Sequence, residues 1–117
     1  MKKLLIVLTV FSISFTAVAQ KKSKTSKETF MVDGVCKMCK DRIEKVAMLT
    51  KGVKFASYDI EKNELYCIFN NKKTSVTALK KAMAKAGHDT KEFKATEEDY
   101  LALDKCCYYR DETLEKH

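Results

Sequence analysis

Hydrophobic and polar positions change period several times along this chain, and each change marks an element. Residues 28–35, ETFMVDGV, carry strand-type side chains and end at the turn signal Asp33-Gly34. From residue 36 to 52 the spacing turns helical. Ile43, Val46, Ala47 and Leu49 fall towards one face, Lys40, Asp41, Glu44 and Lys45 towards the other, and Gly52 supplies the stop. Residues 53–60 alternate again, with Ala56, Tyr58 and Ile60 in phase. Residues 64–70 follow with Leu65, Cys67 and Phe69 in phase. The three residues between these runs predict an antiparallel hairpin. A second helix is expected over 74–87, capped by Thr74 or Ser75, with Val76, Leu79, Met83 and Ala86 at 3, 4, 3 spacing. Residues 88–95 are expected to form a last short strand. The order strand, helix, strand, strand, helix, strand is that of an α+β ferredoxin-like βαββαβ sandwich, two helices over one face of a four-stranded antiparallel sheet. Beyond it, Thr96-Glu97-Glu98-Asp99 resembles a capping box opening a short helical tail through Tyr100, Leu101 and Leu103.

The N-terminus changes the picture of where the chain works. Lys2 and Lys3 precede an apolar run over residues 4–18, and Ala17-Val18-Ala19 offers a small-x-small cleavage pattern. The run is short for a membrane span, so it predicts a signal peptide over residues 1–19 and export to a periplasm or equivalent compartment. A basic linker over 20–27, a domain over 28–95 and a tail over 96–117 complete the predicted organisation. The formal charge is +7, and removing Lys2 and Lys3 leaves +5. The surplus is dispersed and no aromatic residues interleave with it, which argues against nucleic acid as a partner.

Five cysteines lie in the chain: Cys36, Cys39, Cys67, Cys106 and Cys107. Cys36 and Cys39 fall at the first strand-to-helix junction. Backbone N–H groups and the helix dipole favour negative charge there, and Lys37 and Lys40 add to it. Both sulfurs are expected to face one point of an exposed loop. Two soft thiolates suit Cu(I) or Hg(II), whereas Zn(II) asks for four ligands. Cys67 alternates in phase with Leu65 and Phe69 and reads as a small buried thiol. Cys106-Cys107 has three readings: more ligands for the metal site or a second ion, a disulfide with Cys36 or Cys39, or no special role. Tyr108, Tyr109 and Arg110 read as packing and solubility residues.

The Cys-x-x-Cys pair, set in this order of elements, resembles the heavy-metal-associated domain, a family that includes copper chaperones, mercury-binding proteins and modules of metal-pumping ATPases. The resemblance spans residues 28–93. It implies that Cys36 and Cys39 are metal ligands, with Cu(I) first and Hg(II) or Zn(II) as alternatives. It implies handover by ligand exchange to a partner's own cysteine pair, on a metal-transporting ATPase or another acceptor, and it leaves room for a metal-bridged homodimer. His88 stands in a loop that borders the metal loop in that family, which makes it a candidate third ligand beside a surface-histidine reading. The family pattern is Gly-Met-x-Cys-x-x-Cys, and the methionine position here holds Gly34. Met38, between the cysteines, reads as a packing or exposed residue.

The competing reading is a thiol-disulfide oxidoreductase using the same pair. A thioredoxin-like enzyme relies on a cis-proline beside its cysteines, and this chain contains no proline and no tryptophan. With only His88 and His117 as histidines and no paired carboxylates, hydrolytic chemistry has no residues to stand on. The sequence therefore predicts a carrier rather than an enzyme.

Overall fold

A computed structural model describes residues 23–117. The predicted signal peptide lies outside the described residues. The elements are β1 (Thr25–Met31), α1 (Lys37–Leu49), β2 (Val53–Asp59), β3 (Glu64–Asn70), α2 (Val76–Lys85), α3 (Glu97–Leu101) and a 3-10 turn at Lys105–Cys107. Each α-helix begins at a residue whose side chain caps it. The Ser75 hydroxyl accepts the Ala78 N–H at the start of α2, and the Thr96 hydroxyl accepts the Asp99 N–H at the start of α3. At α1 the cap is a sulfur, since Cys36 Sγ accepts the Cys39 N–H.

The strands form an antiparallel sheet in the order β1-β3-β2. Leu65, Cys67 and Phe69 of β3 alternate into one core with Tyr58 of β2, Phe30 of β1, Ile43 and Ala47 of α1, and Leu79 and Met83 of α2. Burying each large aliphatic side chain contributes about 1.5–3 kcal/mol. Leu49, expected on the inner face of α1, is instead 75% exposed. β1 starts at Thr25, inside the tract expected to be linker, because its pairing with β3 runs out to Thr25 opposite Asn70.

The fourth strand predicted over 88–95 is absent, and the sheet has three strands among the described residues. The segment follows Gly87, whose φ of +99° turns the chain out of α2. Its backbone groups go elsewhere. The Asp89 carbonyl accepts the Asp33 N–H, but the Asp89 N–H donates to Tyr109 Oη. Thr90 and Phe93 close a turn on each other, and the Ala95 N–H goes to the Asp89 carboxylate. Side chains from the tail and from within the segment thus take the donors that a ladder would need.

The tail is docked rather than loose. The Arg110 guanidinium donates to both oxygens of Asp89, at 2.8 and 3.1 Å, and to the Ala95 carbonyl at 2.9 Å. It also lies 4.3 Å from the centre of the Tyr100 ring. The Tyr109 hydroxyl donates to the Gly87 carbonyl, and its ring stacks on His88. Arg110 and Tyr109, read from sequence as solubility and packing residues, anchor the tail through specific bonds. At the far end, the Lys37 N–H donates to the His117 carbonyl and the His117 N–H to the Val35 carbonyl.

Candidate metal centre

The junction between β1 and α1 places Cys36 at the helix cap and Cys39 one turn in. Their sulfurs lie 3.2 Å apart. The strap that runs from Ala95 to His117 lays its own pair over them. Cys36 Sγ is 3.1 Å from Cys107 Sγ and 3.9 Å from Cys106 Sγ, and the two tail sulfurs are 3.9 Å apart. Cys36, Cys106 and Cys107 form a set of donor atoms all within 4.8 Å of one another. All five cysteines are free thiols.

This cluster is buried, contrary to the exposed loop expected from the polar residues around the pair. Cys36 is 2% exposed, and Cys39 and Cys107 are fully buried. The cause is the tail, whose backbone bonds at Val35 and Lys37 close over the loop. Cys106 is only partly buried, and its thiol lies 3.4 Å from the thioether of Met38, itself 46% exposed. Solvent reaches the cluster from that side.

The cation nearest the sulfurs also differs from the expected one. Lys40 Nζ reaches Glu44 and the Tyr58 carbonyl. It is Arg42 that lies 3.5 Å from Cys107 Sγ, with Asp104 at 3.5 Å as its carboxylate partner. Arg42 stands three residues after Cys39, a spacing that puts both on one helical face, so the signal was present in the sequence. Burial would push the Cys36 thiol up, but hydrogen bonds with the Cys107 thiol, the Cys39 backbone N–H and the neighbouring thiols outweigh it, and its pKa falls below the ordinary value. Burial pushes the Cys39 thiol up. Cys107 is also pushed up by burial, with Arg42 drawing it back. Cys36 is therefore easier to ionise than Cys39 or Cys107. Cys67 sits apart in the core, where burial raises its thiol to about 11.

His88 is fully buried. Its Nδ1 lies 2.8 Å from the Asp33 carbonyl, which can only accept, so Nδ1 carries the proton. Nε2 is buried without a hydrogen-bond partner. The histidine braces the loop before Cys36 through Asp33, and it stands outside the set of mutually close sulfurs. His117, at the tail's end, is exposed.

Gly34 has a steric reason. A Cβ there would lie 2.8 Å from Tyr58 Oη, 3.1 Å from Cys39 Cβ and 3.3 Å from Ile43 Cδ1. Tyr58 is buried and donates its hydroxyl to the Val32 carbonyl at 2.6 Å, supporting the loop from within. Gly34→Ala is expected to cost about 1–3 kcal/mol by overpacking. Urea denaturation of the reduced protein measures it, and an unchanged midpoint would show that the loop has room.

Residues 29–89 match the heavy-metal-associated domain. No curated protein gives a significant match. Among solved structures, the CopZ metallochaperone is 27% identical, with a TM-score of 0.54, covering 56% of this chain and 98% of that one. The N-terminal domain of a potential copper-translocating P-type ATPase from Bacillus subtilis, in its Cu(I)-loaded state, is 33% identical, with a TM-score of 0.53 and coverages of 56% and 82%. A copper-binding domain from the P-type ATPase HMA7 is 25% identical, with a TM-score of 0.52 and coverages of 54% and 86%. The family match ends before the tail that carries Cys106 and Cys107.

Proposed function

This chain belongs to the heavy-metal-associated domain family, and from that premise we propose that it carries a soft metal ion, Cu(I) in the first place, on Cys36 and Cys39. The ion is cargo. It passes by ligand exchange to an acceptor with its own cysteine pair, of the kind found on a metal-transporting ATPase. The carrying observation is the 3.2 Å approach of the two sulfurs at a helix N-terminus, with Cys36 tuned towards thiolate. Copper-binding relatives support Cu(I) over Hg(II) or Zn(II). In this reading residues 1–19 direct export and are removed, the carrier domain starts with β1 at Thr25 and runs to residue 95, and the protein is not an enzyme. Handover proceeds directly to the acceptor or through a transient metal-bridged pair of chains.

One observation favours thiol-disulfide exchange as a second reading: Cys36 Sγ has two other sulfurs within 3.2 Å. Against it, all peptide bonds among the described residues are trans and the chain has no proline. Anaerobic competition of the reduced protein, residues 20–117, against a chromophoric Cu(I) chelator separates the two. Tight binding of one ion per chain is the expected result. Failure to compete would remove the carrier reading and direct attention to the reduction potential of the pair.

A further inference from the structure

Ligand exchange between two cysteine pairs needs the acceptor's sulfurs to approach the donor's. This chain already carries a second pair in that position. Cys107 and Cys106 lie 3.1 and 3.9 Å from Cys36, closer to it or nearly as close as its own partner Cys39 at 3.2 Å. Cys36 is the shared sulfur of both pairs. Resting on the carrier reading above, we propose that the C-terminal strap acts as a built-in acceptor: Cys106 and Cys107 join Cys36 to hold the cargo ion on three sulfurs, and the strap must be displaced before an external cysteine pair can take the ion.

Four features carry this. The three sulfurs lie within 4.8 Å of one another, the spread that a single ion can bridge with small side-chain adjustments. The Arg42 guanidinium, 3.5 Å from Cys107 Sγ, partly neutralises the excess negative charge that three thiolates place on a monovalent ion. The protons of the three thiols leave to solvent as the ion binds. The strap is held by bonds that do not involve sulfur: Arg110 on Asp89, Tyr109 on Gly87 and the His117 backbone on Val35 and Lys37. Its docking therefore does not depend on the ion. Finally, Cys36, Cys39 and Cys107 are closed to solvent, and the open side is the edge where Cys106 meets Met38. An external pair would meet Cys106 first, and would displace the strap sulfurs in turn while Cys36 keeps hold of the ion and Cys39, 3.2 Å from it, takes the vacated place.

The test compares reduced protein, residues 20–117, with the Cys106→Ser/Cys107→Ser double variant, both loaded with one equivalent of Cu(I). Copper-edge X-ray absorption is expected to show three sulfur neighbours in the wild type and two in the variant. The variant should bind at least about tenfold more weakly, which corresponds to ~1.4 kcal/mol, and should surrender its ion faster to a chelator. Arg110→Ala, which frees the strap without removing a sulfur, should shift the coordination and the release rate in the same direction. Two sulfur neighbours in the wild type overturn the inference whether or not the double variant folds. So do unchanged affinity and release in a folded variant. A wild type that binds no Cu(I) overturns the carrier reading itself, and is told apart by that.

Discussion

Cys36→Ser is expected to abolish tight Cu(I) binding and leave the fold intact. Both parts follow from the position of the residue. Its sulfur is within 3.2 Å of Cys39 and Cys107 and within 3.9 Å of Cys106, so removing it takes away the one sulfur that approaches all three others. Losing a group that only orients a ligand typically costs 10–100-fold in metal affinity. Loss of the shared ligand should exceed about a hundredfold. The helix does not suffer, because Cys36 caps α1 by accepting the Cys39 N–H and serine is a better cap than cysteine. Cys39→Ser should be milder, since Cys36, Cys106 and Cys107 remain within reach of one ion. The measurement is competition with a chromophoric Cu(I) chelator, paired with thermal melting of each variant. A Cys36→Ser protein that binds within a few-fold of wild type would refute the assignment of Cys36. Equal losses in the two variants would point to a plain two-sulfur site.

The contrast between those variants shows where the sequence was readable. The pair itself, its place at a strand-to-helix junction and the elements around it are local signals. Leu65, Cys67 and Phe69 alternate, and Leu79 and Met83 recur at helical spacing, because each face packs on one core. Three things were not readable. The burial of the pair comes from residues about seventy positions away, and no local period encodes such a contact. The missing fourth strand has the same origin. Residues 88–95 carry strand-compatible side chains, but Asp89 is claimed by Arg110 and by the Tyr109 hydroxyl, and those partners lie in the tail. The role of Gly34 depends on Tyr58 across the sheet, whose hydroxyl fills the space a side chain there would need, and nothing in the residues beside Gly34 encodes that contact. Arg42 is different, because its spacing from Cys39 was visible and only its partner, Cys107, was not.

The second large effect is acid sensitivity, and it originates at His88. Burial holds its imidazole down at about 4, with the Arg42 charge acting in the same direction and the Asp33 carbonyl against it. In the unfolded chain the ring returns to about 6.5. Between these two values the unfolded chain binds a proton that the folded one does not, so stability falls as the pH is lowered from about 6.5 to about 4. At 1.36 kcal/mol per unit the loss is about 3 kcal/mol, a large share of the stability of a domain this size. Asp89 extends the effect to lower pH. Burial would raise its carboxyl, but the Arg110 guanidinium and the Ala95 N–H hold it below the ordinary value, so its contribution is lost as acid protonates it and loosens the strap. Asp33 works the other way, because its burial favours the neutral acid. Urea midpoints of the metal-free, reduced protein across this range measure the sum. In His88→Asn, whose side-chain amide can still donate to the Asp33 carbonyl, the slope between about 6.5 and 4 should largely disappear while stability at neutral pH changes less. A wild-type midpoint that stays flat over that range, or a slope that persists in His88→Asn, would show that the ring is protonated inside the fold and that its burial is not what governs its charge.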